Sequence, residues 1–139
     1  MKTKNLETIL KHANDAEKNQ IILNIQDCKL FDHLHSLLES KHLDKAEVIL
    51  ESQIPRTYAY QIFQGSKQAG RDKILQLAFA MKLDLEETNR LLTIANHPLL
   101  YAKKQRDAIL IFSISNRYSL METNELLYEF HQELLGSFN

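Results

Sequence analysis

Only three glycines and two prolines occur in the 139 residues, at Gly65, Gly70, Gly136, Pro55 and Pro98. A sandwich or barrel needs a turn about every ten residues, and many such turns draw on glycine for positive φ. A dinucleotide-binding loop needs three closely spaced glycines. A phosphate loop needs Lys and Ser/Thr after its last glycine, whereas Arg71 and Asp72 follow Gly70. The one cysteine, Cys28, rules out an internal disulfide and fits a reducing compartment. It reads as a small, half-buried apolar residue rather than a reactive thiol. The longest apolar runs have five members, 77–81 and 108–112, far short of a membrane span. Met1-Lys2-Thr3-Lys4 is not followed by the apolar run of a secretory leader. The expected location is the cytoplasm, with no membrane partner.

What is present suits a single all-α domain. Hydrophobic residues make up 44% and charged residues 25%, enough to build a core and keep it soluble. Asp44…Glu47, Asp84…Glu87 and Ser119…Glu122 each place a cap oxygen three residues before a glutamate that can reach back to the cap. Helices are therefore expected near 44–52, 84–96 and 119–135. Phe31, Leu34, Leu37 and Leu38 have helical spacing, which predicts a helix over 31–41. Pro55 opens another over 55–64 that stops before Gly65, and 71–82 and 102–116 complete the set. In the N-terminal segment 1–30, Leu6, Ile9 and Leu10 suggest a short helix, and the polar stretch 12–20 reads as a connector.

The segment Ala108–Phe112 could be a buried strand on periodicity alone. An internal repeat argues for helix. Shifted by 35, residues 71–92 align without gaps on 106–127, with ten of 22 positions identical. These include Arg71/Arg106, Asp72/Asp107, Glu87/Glu122 and Asn89/Asn124. The unit is a helix, a turn and a capped helix, so two copies should stack as in helical arrays.

Charge is distributed unevenly. The formal net charge is −1, which gives no global case for nucleic acid. Residues 31–53 set Asp32, Glu39, Asp44, Glu47 and Glu51 against Lys41 and Lys45. Residues 54–73 set Arg56, Lys67, Arg71 and Lys73 against Asp72 alone. The stretch 43–65, which runs into that basic window, reads as a capped helix, a three-residue turn, a second helix started by proline, and then Gly65. Val48, Ile49, Ile54, Ala59, Ile62 and Phe63 would form the seam between the two helices. Arg56, Thr57, Tyr60, Gln61 and Gln64 share the opposite face of the second. Arg and Gln carry the paired donors and acceptors that read guanine and adenine edges in the major groove, and Thr57 can touch a thymine methyl.

From about Leu43 to Glu87 the sequence resembles the helix-turn-helix of phage-repressor-type (Cro/C1, XRE-like) transcription regulators. The resemblance implies a lambda-repressor-like core over 31–96, extended by a C-terminal helical hairpin over 102–139. It implies base contacts from Arg56, Thr57 and Gln61, and a phosphate or base contact from Lys45. Lys67 and Arg71 fall where the family grips the phosphate backbone. Tyr60 is a phosphate contact or an anchor for a protein partner, and Tyr58 is seam packing. Gln53 stands where the family has glycine, so a left-handed backbone is expected there. Ile49 and Ala59 exchange the family's small and large residues across one contact, and Asp44 stands where Thr, Ser or Asn is usual.

No catalytic constellation appears. His35, Glu39 and His42 lie on one helical face but span about 10 Å along the axis, too far to converge on a metal. They read as a solvated face. The expected function is therefore sequence-specific binding of double-stranded DNA by a homodimeric regulator, a repressor by preference, with no cofactor, no metal and no enzymatic activity. Leu126, Leu127, Phe130, Leu134 and Leu135 are the expected dimer surface, with burial inside the chain as the alternative. The rival function is a helical protein-interaction module, an adaptor or antirepressor, that keeps the fold and does not bind DNA.

Overall fold

A computed structural model describes residues 3–136, so the expected boundaries at residues 1 and 139 lie outside it. The described residues form nine helices and no strand: α1 (Thr3–His12), α2 (Asp15–Asn24), α3 (Leu30–Ser40), α4 (Lys45–Ser52), α5 (Arg56–Gln64), α6 (Arg71–Ala80), α7 (Leu85–Ile94), α8 (Gln105–Ser115) and α9 (Leu120–Glu129). The chain is all-α, as its composition and caps imply, and Ala108–Phe112 is helical.

Helix α6 is the hub. It packs against α4, α7 and α9, while α3 packs on α5 and α7, and α8 on α7 and α9. Covered on several sides, α6 buries every residue from Ile74 to Ala80, Gln76 included. A helix that is apolar nearly all round belongs at such a centre. Gln76 is there because its side-chain amide donates to the Ser52 carbonyl at 2.9 Å. That bond ties the end of α4 to the core.

Residues 35 apart in the two aligned segments make the same local bonds. Asp84 and Ser119 each cap a helix and receive the returning glutamate, Glu87 or Glu122, on their own N–H. Lys82 and Arg117 close the preceding helices with left-handed backbone, φ 57° and 59°. The Asn89 side chain accepts from the Leu100 N–H at 3.0 Å, and the Asn124 side chain accepts from the Leu135 N–H at 2.8 Å. His42 turns the same way after α3, with φ 55°. In α4 only the first half of the box is formed, with Asp44 accepting from the Glu47 N–H at 3.2 Å.

Three expectations are corrected. The stretch read as a connector over 12–20 is mostly helix α2, capped by the Asn14 side chain on the Glu17 N–H at 2.8 Å. Polar residues obscured it, and the helix buries none of its side chains. Helix α9 ends at Glu129 rather than near 135, because His131 turns left-handed at φ 58° and the chain folds back to bury Leu135. Cys28 lies exposed between α2 and α3. No helix among the described residues is long and apolar enough to cross a membrane.

Candidate nucleic-acid interface

The turn between α4 and α5 is built by a few residues with defined tasks. Ser52 is fully buried; its hydroxyl donates to the Ile49 carbonyl at 2.7 Å and accepts from the Ile54 N–H at 3.2 Å. Gln53 is left-handed, φ 62°. Pro55 follows as the residue capping α5, with φ −50° pre-set for a helix start. Val48, Ile49, Ile54, Ala59, Ile62 and Phe63 are all buried in one core, so the expected seam is closed. Ile49 and Ala59 sit in it together, a large residue on one helix beside a small one on the other.

The far end of α5 is fixed by α3. Gly65 closes α5 at φ 82°, and a Cβ there would lie 2.6 Å from Cδ1 of Phe31. Only glycine lets α3 approach this closely. Nε2 of His35 lies 3.0 Å from the Phe63 carbonyl; since a carbonyl only accepts, this nitrogen carries the proton. The two rings meet edge to face at 5.8 Å. His35 is therefore a structural hydrogen-bond donor, while His35, Glu39 and His42 all remain exposed, as the solvated-face reading expects. Among the described residues no His, Cys, Asp or Glu cluster could hold a metal ion.

With its inner side packed, α5 presents Arg56, Thr57 and Gln64 to solvent, and Tyr60 and Gln61 half-buried at the edge. The ring of Tyr60 carries two cations: Nζ of Lys45 at 5.5 Å and the guanidinium carbon of Arg56 at 5.7 Å. Such contacts contribute about 0.5–1 kcal/mol each at exposed sites. They gather the basic groups at the starts of α4 and α5 onto one spot. Sequence reasoning named all three residues without seeing that Tyr60 unites them; the four-residue spacing of Arg56 and Tyr60 was a trace of one contact, while Lys45 arrives from α4, fifteen positions away.

Beyond α5, the Gln61 carbonyl accepts from the Ser66 and Lys67 N–H groups at 3.0 and 3.3 Å, which folds the loop back on the helix. Lys67 is exposed at that bend. The Tyr58 hydroxyl donates to the Gln68 carbonyl at 2.8 Å, and Lys73 lies over its ring at 5.2 Å. Tyr58 thus packs on the core and also straps the loop, a task its sequence position did not reveal. Lys73, which belonged to the basic window and to no motif, is the cation on that side.

Arg71 stands apart from the others. Its Nη1 and Nη2 donate to the two carboxylate oxygens of Asp107, both at 3.0 Å. Its Nε and Nη2 also donate to the Pro98 and Leu99 carbonyls at 3.1 and 3.0 Å. The guanidinium expected on a phosphate is consumed within the chain. Its equivalent 35 residues on, Arg106, forms the mirror pair with Asp72 at 2.9 and 3.0 Å and donates to the Glu133 carbonyl. Each hairpin so holds the other's aspartate. Asp107 is 4% exposed. Burial opposes its ionisation, but the bonds from Arg71 and the Tyr101 N–H, with the charges of Arg71 and Lys104, outweigh it and lower its pKa.

The structure brings Lys45, Arg56, Thr57, Tyr60 and Gln61 together, leaves Lys67 at the adjoining loop, and turns Arg71 away. No family model, curated protein or solved structure matches the chain.

Proposed function

We propose that the chain is a sequence-specific DNA-binding regulator, a transcriptional repressor acting in the cytoplasm as a homodimer, with α4 and α5 as a helix-turn-helix of the phage-repressor type. The observation that carries this reading is the pair of cations stacked on Tyr60 at the entrance of α5, beside Thr57 and Gln61 on one face. Helix α5 has nine residues, about 13 Å of length, which suits a major groove about 12 Å wide. Arg56, Thr57 and Gln61 read base edges, with Arg56 directed to guanine. Lys45, Lys67 and the Tyr60 hydroxyl contact phosphates and set the register. Arg71 drops out of the contact set, and its role is to hold the C-terminal hairpin.

Selection from a random duplex library tests the reading. The outcome expected is a two-fold symmetric motif with half-sites about one helical turn apart. Arg56→Ala should then cost about 1–3 kcal/mol on the selected site, with the fold intact and the melt lowered by at most a few degrees through the lost Tyr60 contact. Recovery of no enriched sequence would withdraw the proposal. The second reading, an adaptor or antirepressor, draws on the capture of Arg71 and on Asp44 and Glu47 at the start of α4. It requires that DNA fail to bind even at low salt.

A further inference from the structure

The outermost surface of the helical stack does not look like an end. Residues of α8 and α9 can be compared with those 35 positions earlier in α6 and α7. Leu77 is fully buried, whereas its equivalent Phe112 is 48% exposed. Packing differs between them: α6 makes its main contacts with α4, α7 and α9, and α8 with α7 and α9, besides the Arg71–Asp107 and Arg106–Asp72 pairs that tie α8 to α6. On the second helix of each hairpin, α7 shows solvent the polar Glu86 and Thr93. Helix α9 puts Met121 and Tyr128 in those places, 73% and 75% exposed. A terminal unit of a helical array ordinarily carries a polar outer face. Here the sequence places methionine and tyrosine where its own earlier copy has glutamate and threonine.

These side chains form one surface. Tyr118 meets Phe112 edge to face at 5.6 Å. Tyr118, Met121 and Tyr128 line one cleft of about 1130 Å³ with Phe79 and Leu134. Fully exposed, each large side chain offers roughly 150–250 Å², so Phe112, Met121 and Tyr128 present about 400 Å² of apolar surface. A standard interface takes about 800 Å² from each partner, a little over half of it apolar. The patch is the right size for the centre of one.

The rim selects the occupant. Lys82 and Arg117 border the cleft, and so do Glu51, Glu122 and Glu125. A nucleic acid or an anionic lipid surface needs an excess of positive charge, and this rim sets two cations against three carboxylates. A face with both signs around an apolar centre is complementary to itself under a two-fold axis, where each cation of one copy can meet an anion of the other.

We propose that this face, α9 with Phe112 and Tyr118, is the dimer interface, and that its occupant is the same face of a second copy. The inference deepens the homodimer of the preceding reading but does not require DNA. It also shifts the surface expected from sequence: Leu127 and Leu135 are buried within the chain, Leu126 and Leu134 are half-buried, and of the five expected residues Phe130 alone is exposed, at 46%.

Sedimentation equilibrium of the full chain without DNA is the test. Wild type should be a dimer at micromolar concentration. Met121→Glu with Tyr128→Glu should weaken it on the order of a hundredfold; both side chains are exposed, so the helical melt should not move. Should that pair unfold, Tyr128→Lys alone serves the same purpose. A chain carrying Lys82→Glu and Arg117→Glu should be monomeric alone. It should form a heterodimer when mixed with a chain carrying Glu51→Lys and Glu125→Lys. A monomeric wild type, a double variant that stays dimeric through another surface such as the exposed α2, or failure of the mixed chains to pair would overturn the proposal. Arg56→Ala must leave the mass unchanged while weakening DNA binding, which separates failure of the interface from failure of the DNA reading.

Discussion

Replacing Asp107 with asparagine should destabilise the fold far more than the same change at its counterpart, Asp72. The Asp107 side chain is 5% exposed and accepts three hydrogen bonds, two from Arg71 and one from the Tyr101 N–H at 2.9 Å. Asparagine keeps the shape but turns an NH₂ toward one guanidinium nitrogen, leaving a charged partner with half its acceptors. Removing one member of a buried pair costs about 3–5 kcal/mol. Arg71 is 23% exposed and keeps the Pro98 and Leu99 carbonyls, so about 2–3 kcal/mol is expected here. Asp72, in the mirror pair, is 36% exposed beside Arg106. Solvent screens that pair, and Asp72→Asn should cost about 1 kcal/mol or less. Urea titration followed by helical circular dichroism reads both. At roughly 3–4 °C per kcal/mol for a chain of this size, Asp107→Asn should lower Tm by about 6–12 °C. The pH dependence follows from the lowered pKa of Asp107. A folded pKa below the unfolded one gives stability that is full above about pH 4 and is lost as pH falls through the folded value. The gap between wild type and Asp107→Asn should therefore close in acid. A variant within about 0.5 kcal/mol of wild type at neutral pH, or an Asp72→Asn that costs more, would show that the buried Arg71–Asp107 pair does not hold the hairpins together.

Other consequences follow from the backbone and from His33. Gln53→Gly should stabilise the chain by about 0.5–1 kcal/mol, since residue 53 is left-handed at φ 62°; a loss of stability in the urea titration would contradict this. Gly65→Ala, with its Cβ at 2.6 Å from the Phe31 ring and φ 82°, should cost about 2–3 kcal/mol, and a near-neutral result would mean α3 can back away. His33 has a lowered pKa, first through burial and then through the charge of Arg90. The folded state then binds its proton less well than the unfolded chain, so stability is present above about pH 6.5 and falls as pH drops below it. His33→Gln should flatten that slope; an unchanged slope would assign it to another group.

How much of this could be read from the sequence depended on whether the signal was local. Caps are local, so α4, α7 and α9 start where Asp44, Asp84 and Ser119 stand. Asn14…Glu17 carries the same spacing, but without an apolar stripe behind it the helix α2 was passed over. The left-handed Gln53 was legible because a glycine is usual at that place in the resembling family. Among the described residues five further non-glycine residues adopt positive φ: His42, Lys82, Asn96, Arg117 and His131. Glycine scarcity thus describes which residues close these helices and not how they close. Arg71 and Asp107 meet across 36 positions, a contact that depends on how two hairpins stack. The doubled Arg-Asp at 71–72 and 106–107 was its one trace, and read singly it suggested a phosphate contact. For the C-terminal hairpin, composition showed leucines to bury, while the exposed Met121 and Tyr128 emerged only against the polar Glu86 and Thr93 of the earlier copy.

The proposed DNA face joins Arg56 and Tyr60 of α5 to Lys45 of α4 and Lys67 of the following loop. Fluorescence anisotropy of a labelled genomic fragment pool over a salt series tests it. Binding is expected at low salt and should weaken as salt rises. Lys67→Ala should reduce the slope of log K against log salt by about 0.9 for each copy that loses its phosphate contact. An absence of binding at low salt, or a slope that Lys67→Ala and Lys45→Ala leave unchanged, would contradict it.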